Sequence, residues 1–342
     1  MKSKLWEIFY SRWKNNRQSL APGYSVLLMV PGDLPVFFKI AMEVCLSQEA
    51  DYLNEILVIP DQTTAVFKEE FAQLRKRYSK IPFRLVELSP FEQLLTGHFK
   101  NPGMNNWLQF VRGCEATQTR YVLWHDADLF IKKKDFLTGH YKKCVESGYA
   151  CYGVSQVWDK WYKENGLFYL TSTWELMIDL NWVKSFKPWQ HKGHIGIING
   201  KKHIFDITLL PQCLTAPERI GYLNSEEDFI HFNYVIGTYR HFQNSKGPFL
   251  DEGFKLLLIR LLVDMYDSNG IYEVPVIRDL SKGLENTNNR VVYNEHSYSE
   301  KYVSFRNKFQ KLMDSGLLNE EQQIKSRVGL DIFDKFYGYD RK

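Results

Sequence analysis

The chain has 342 residues, a formal net charge of +4 and 25% charged residues. That length can bury a full α/β core and still carry an appendage. So slight a basic excess, with acids interleaved, argues against a dedicated nucleic-acid binder and suits a small anionic substrate.

The five cysteines (Cys45, Cys114, Cys144, Cys151 and Cys213) are odd in number and include no CxxC pair, so they read as free buried thiols in a reducing compartment. The amino terminus has no apolar core long enough for a secretory signal. Residues 2–18 set Lys2, Lys4, Arg12, Lys14 and Arg17 around Leu5, Ile8, Phe9 and Trp13, with helical spacing of the apolar positions. Such a helix either docks on its own domain, the favoured reading, or lies on an anionic membrane surface. The longest apolar stretch, residues 256–263, is too short to span a bilayer and contains Arg260. The expectation is a soluble cytoplasmic protein with, at most, peripheral membrane contact.

Residues 25–30 read as the first strand and Pro31-Gly32-Asp33 as a turn. A helix follows with Pro35 in its first turn, where a missing N–H costs nothing. A second strand at 55–59 stops at Pro60-Asp61-Gln62-Thr63. A charged helix over 64–78 and a third strand at 83–88 come next. Strands alternating with helices predict a doubly wound, mostly parallel sheet flanked by helices. The polar turn Asn101-Pro102-Gly103-Met104-Asn105-Asn106 opens a further helix that ends near Thr117.

The run Tyr121-Val122-Leu123-Trp124-His125-Asp126-Ala127-Asp128-Leu129-Phe130 then reads as a strand buried on both faces. In an extended backbone, Asp126 and Asp128 point the same way. At the carboxyl edge of a parallel sheet they meet the place where open α/β folds hold ligands. Two such acids repel unless a cation or a shared proton intervenes, and a divalent metal carrying a phosphate resolves the conflict.

This order of elements resembles the amino half of a GT-A glycosyltransferase, the inverting family-two type in particular. The resemblance rests on residues 25–35, the strand 56–59 with Asp61, the turn and helix from Gly103, and the Asp126-Ala127-Asp128 motif; it covers roughly residues 22–245. It implies a GT-A (Rossmann-like) domain over 22–247, preceded by the helix in 1–21 and followed by a helical extension over 248–342. It further implies that Asp61 contacts the nucleoside base and that Asp126 lies by the ribose or the metal. Asp128 would ligate the Mn²⁺ or Mg²⁺ that bridges the diphosphate of a nucleotide-sugar donor. The plainer readings are turn or cap acids for Asp126 and Asp128, and a turn residue after Pro60 for Asp61. Lys132-Lys133-Lys134 either touch phosphate or form a solvated loop face, the second being favoured.

In the second half, residues 149–154 and 174–178 read as strands. Trp158, Trp161, Tyr162, Phe168 and Tyr169 crowd between them, either to stack on a pyranose or to fill the core. Gly193-His194-Ile195-Gly196 and Asn199-Gly200 read as a flexible loop. In the family, the general base follows such a loop at a helix start, and a metal-holding histidine lies on the next strand. Asp206, in Phe205-Asp206-Ile207-Thr208, and His231 match those places. Phe205 stands where the family carries a second acid, and Pro211 cuts the helix short. Asp228, in Glu226-Glu227-Asp228, is the other candidate base but abuts an apolar strand. Asp206 is preferred because His231 then has a role; a core histidine is the alternative for His231. Arg240 braces the diphosphate or is a surface cation. Residues 250–266, 299–313 and 320–337 read as helices, with a loop at Asn286-Thr287-Asn288-Asn289. These helices shape the acceptor side or pair subunits.

The implied activity is metal-dependent, inverting transfer of a sugar from a nucleotide donor to a saccharide or lipid-linked acceptor hydroxyl, in surface polysaccharide or glycoconjugate synthesis. Two other readings remain. One is a haloacid-dehalogenase-type phosphatase, although Leu129-Phe130 follow the acids where small or hydroxyl residues are expected. The other is a GT-A-like protein that binds a sugar nucleotide without turnover.

Overall fold

The computed structural model describes residues 2–14, 19–79, 81–155, 160–224, 227–244, 253–266 and 299–339. The chain divides into two compact units, Met1–Ala127 with Lys133–Asp228 and Asp128–Lys132 with Phe229–Lys342. The first unit includes α1 (Lys2–Phe9). The expected loop at 286–289 and the nominal boundary at 247 lie outside the described residues.

The first unit is built on a seven-stranded sheet. In chain order its elements begin with β1 (Ala21–Val30), α2 (Pro35–Leu46), β2 (Leu53–Pro60), α3 (Ala65–Arg77), β3 (Phe83–Leu85), α4 (Pro90–Phe99), α5 (Pro102–Ala116) and β4 (Thr119–Asp126). After β5 (Leu129–Ile131), which belongs to the second unit, come α6 (Phe136–Glu146), β6 (Cys151–Ser155), α7 (Lys160–Glu164), β7 (Thr171–Asp179) and α8 (Leu180–Ser185). The unit closes with β8 (His194–Ile198), β9 (Lys201–Phe205), α9 (Leu209–Cys213) and β10 (Ile220–Leu223).

The sheet order is β10-β6-β7-β4-β1-β2-β3, with β7 antiparallel to both neighbours and every other pairing parallel. From Val26 to Val30, β1 is buried throughout, as a strand covered on both faces must be. The chain runs from β1 out to β3 and returns on the other side as β4, so the strand order reverses between β1 and β4. That reversal opens a crevice at their carboxyl ends.

Three local expectations change. The run read as one strand through Phe130 stops at Asp126. Residues 127–128 form a turn, and β5 pairs antiparallel with β11 (Phe229–His231) instead of continuing along β1. Asp126 and Asp128 therefore do not share a strand, and the alternation argument for their common direction lapses. The expected flexible loop at 193–200 is a hairpin. Ile198 pairs with Lys201, and Asn199 and Gly200 both adopt positive φ (51° and 75°), the backbone a two-residue turn needs. Beyond Leu85 the chain leaves the sheet for α4. There Ser89 and Glu92 form a capping box with Pro90 in the first turn.

Helix α1 docks within its own unit, as favoured. Trp6 meets the edge of Trp107 at 5.5 Å, and Tyr10 donates its hydroxyl to Glu92 at 2.6 Å. Glu92 also takes both arms of the Arg112 guanidinium at 2.8 Å, so a buried charge is neutralised where α1, α4 and α5 meet.

The second unit contains the β5–β11 ribbon and the helices α10 (Val235–Asn244), α11 (Gly253–Tyr266), α12 (Ser299–Asp314) and α13 (Glu320–Phe336). The three expected C-terminal helices are all present. Phe232 packs against Phe305 and Phe309 of α12. All five cysteines are free, and four are buried. Burial pushes the thiols of Cys151 and Cys213 up to about 12, so they are inert packing groups.

Candidate functional site

At the carboxyl edge of the first unit's sheet, Met29 of β1 pairs with Asp126 of β4, and Val30 pairs with Pro60 of β2. This register sets the β1 turn, Asp61 and Asp126 at the ends of three adjacent strands. Asp61 is only 3% exposed. Its two carboxylate oxygens accept from the Gly32 N–H at 2.9 Å and the Asn105 amide at 2.8 Å. It is thus a brace between the β1 turn and the start of α5, and its carboxylate is turned into protein. Gly32 itself has no room for a side chain, because a Cβ there would stand 1.6 Å from the Gln62 carbonyl oxygen. Asp126 is half-buried, and one of its oxygens accepts from the Trp124 indole at 2.9 Å.

The second unit begins at Asp128, two residues further on. Antiparallel pairing of β5 with β11 sets His231 opposite Leu129, beside Asp128. His231 Nε2 lies 3.3 Å from Asp128 Oδ1, and the Val235 N–H donates to Oδ2 at 3.3 Å. Lys308 donates to the His231 carbonyl at 2.9 Å, which ties the end of β11 to α12. Burial would by itself raise the Asp128 carboxyl, but His231 and the Val235 N–H outweigh it and hold the group below the ordinary aspartate value. A nearly buried carboxylate facing an imidazole nitrogen supplies one hard oxygen and one nitrogen ligand, a donor set that suits Mn²⁺ better than Mg²⁺. His231 is buried beside Asp128.

The general-base candidates differ in setting. Asp206 follows β9 and precedes α9, as expected of a residue before a helix start. Its carbonyl accepts from the Leu209 N–H at 3.2 Å, and its carboxylate accepts from the Ile207 N–H at 2.7 Å, with Thr173 of β7 nearby. Water reaches the residue, yet protein crowds the carboxyl and raises its pKa; the Ile207 N–H and Thr173 oppose that rise. Solvent access moderates the shift. Pro211 sits in the first turn of the five-residue α9, where it breaks no hydrogen bond. Asp228 lies half-exposed in a turn directly before β11, and Glu226 lies outside the described residues.

No known protein family matches the sequence, and no curated protein matches it. Solved structures do resemble it. The mannosyltransferase PcManGT from Pyrobaculum calidifontis, in complex with GDP-Man and Mn²⁺, is 10% identical with a TM-score of 0.43, covering 99% of this chain and 95% of that one. S. aureus TarS 1–349 is 12% identical at a TM-score of 0.39, covering 92% and 90%. Glucosyl-3-phosphoglycerate synthase from Mycobacterium tuberculosis, in complex with Mn²⁺, UDP and glucosyl-3-phosphoglycerate, is 14% identical at 0.33, covering 47% and 58%. At such TM-scores these likenesses carry no weight for the site, which rests on the chain's own residues.

Arg240 is 1% exposed and donates to Gln243 at 2.8 Å, so it is no surface cation. Lys132, Lys133 and Lys134 are exposed, and Lys133 pairs with Asp135 at 3.4 Å, which is the solvated-loop reading. Of the aromatic cluster, Tyr162 is core and Trp161 stacks on His203 at 3.8 Å, so both are committed to packing. Trp158 lies outside the described residues. Sequence reasoning overlooked Asn105, whose amide fixes Asp61; its place in the first turn of a capped helix, facing the preceding strands, was the available signal.

Proposed function

We propose that the protein is a metal-dependent, inverting glycosyltransferase that uses a nucleotide-diphosphate sugar. The single observation that carries this reading is the Asp128–His231 pair, two metal-type ligands from distant parts of the sequence set face to face. Asp126 lies two residues upstream of Asp128 in the sequence. A bound Mn²⁺ or Mg²⁺ would neutralise charge on the diphosphate leaving group. Asp128 and His231 would hold it, and Val235, through its N–H, fixes the Asp128 carboxylate.

Asp206 takes the proton of the acceptor hydroxyl. The oxygen attacks the anomeric carbon, the bond to the β-phosphate oxygen breaks, and the electron pair leaves with the nucleoside diphosphate. Asp206 is preferred over Asp228 because its carboxyl is raised toward the range where a base is effective, while solvent and an acceptor can still reach it. Asp61 acts one step back, holding the Gly32 turn and α5 at the edge of the crevice.

The test is a thermal-shift screen of UDP-, GDP-, CMP- and dTDP-sugars with and without Mn²⁺. A stabilisation that needs both one nucleotide sugar and the metal supports the reading. Stabilisation by none of them, or release of phosphate from a generic aryl phosphate, defeats it.

A further inference from the structure

The first unit carries a cavity of about 590 Å³ that the reaction as described above does not use. Its apolar wall comes from α1 and α4: Trp6, Phe9, Phe91, Leu95 and Phe99. Much of this wall meets water, with Phe9 67% and Phe91 57% exposed, and Ile8 and Leu94 carry the apolar surface onward beyond the mouth. Aromatic surface left open beside a formed cavity marks a binding face rather than incomplete packing.

The opposite wall is not apolar. Lys192 lines it, half-buried, with its ammonium 5.5 Å from the Trp6 ring and 5.9 Å from the Trp107 ring. Among the described residues no carboxylate pairs with it. Gly193, the next residue, also lines the cavity, and a Cβ placed on it would stand 3.5 Å from the Ile207 N and 3.6 Å from the Asp206 carbonyl carbon. An aromatic trough, a cation with no carboxylate partner among the described residues and a glycine packed against the backbone of the candidate base therefore border one cavity.

We propose that this cavity holds the lipid-phosphate part of a lipid-linked acceptor, with its hydrocarbon on α1 and α4, its phosphate at Lys192 and its glycosyl group directed toward Asp206. The proposal rests on the transferase reading and narrows its acceptor class. Charge complementarity selects an anionic occupant, since a partly desolvated ammonium among indole rings gains most from a phosphate. The length of apolar wall selects a chain rather than a free sugar phosphate.

The test reads binding, independently of donor and metal. Decyl phosphate, decyl glucoside and inorganic phosphate are each titrated into the full-length protein below micellar concentrations, with tryptophan fluorescence and calorimetry as readouts. Decyl phosphate is expected to bind saturably, about ten-fold or more tighter than decyl glucoside, and inorganic phosphate not at all. Lys192→Met should abolish the preference for decyl phosphate while leaving decyl glucoside unchanged. Lys192→Arg should keep the preference, which separates a lost charge from a lost fold. Phe91→Asp should weaken both alkyl ligands.

Equal affinity for the charged and uncharged alkyl ligands, or an unaltered preference in Lys192→Met, overturns the proposal. So does co-sedimentation with phosphatidylglycerol vesicles without binding of monomeric decyl phosphate, which would make the face a membrane-docking surface. A transferase of soluble saccharides would fail this test and still pass the nucleotide-sugar screen, so the two readings fail separately.

Discussion

His231 Nε2 stands 3.3 Å from Oδ1 of Asp128; the Val235 N–H holds the Asp128 carboxylate from behind, and Lys308 holds the backbone carbonyl of His231. Ligands braced in this way lose little freedom when a cation binds. Asp128→Ala should abolish Mn²⁺ binding by calorimetry and, with it, metal-dependent donor binding. His231→Ala should weaken Mn²⁺ by about ten-fold or more. Unchanged affinity in Asp128→Ala would place the cation elsewhere.

Asp206 carries the proton-transfer prediction. Asp206→Asn should leave donor binding intact and reduce kcat by about 10²-fold or more. Because crowding raises this carboxyl, it ionises later than an ordinary aspartate as pH rises. The acid limb of the kcat/KM profile should therefore lie above the usual aspartate range. Full turnover in Asp206→Asn with loss in Asp228→Asn would transfer the role to Asp228.

The β1 turn should be intolerant of change. In Gly32→Ala the new methyl meets the backbone oxygen of Gln62, and urea denaturation should show a loss of about 2–3 kcal/mol. Asp61→Ala removes the acceptor of both the Gly32 N–H and the Asn105 amide and should cost a similar amount, about 1–3 kcal/mol. If Asp61→Ala leaves stability untouched and weakens only nucleotide binding, Asp61 reads the base instead of bracing the turn.

Two buried histidines, His140 and His191, tie stability to acid. Burial lowers them to about 3 and about 4, against 6.5 for a free imidazole. Both stay neutral in the folded chain while the unfolded chain gains protons below 6.5. Stability is thus fully present above that value and falls as pH drops toward the folded values. His140 packs on Phe136 and Tyr152, so His140→Phe keeps the ring stacking and removes the titration. The variant should lose less stability than the parent between pH 7 and about pH 4.5, the difference being on the order of 2 kcal/mol. Parallel pH–Tm curves would count against this.

Much of the architecture was legible because its signals are local. Apolar runs of strand length alternating with helical stripes announced the parallel sheet, and Asp126 was placed at a strand end beside the crevice. The α4 helix and the β8–β9 hairpin were missed, although their signals are local. Ser89-Pro90-Phe91-Glu92 is a capping box and Asn199-Gly200 a two-residue turn, both readable without a structure.

What the chain could not reveal alone is everything set by pairing between distant segments. Nothing in Leu129-Phe130-Ile131 tells that it leaves the β4 line to join Phe229–His231, yet that one antiparallel pairing brings His231 to Asp128. Nothing in Tyr239-Arg240-His241 tells that the arginine is enclosed. Periodicity and turn chemistry act over a few residues and so are written in the sequence. Strand register and the fate of a buried charge depend on which remote surfaces meet, and only the folded chain decides that.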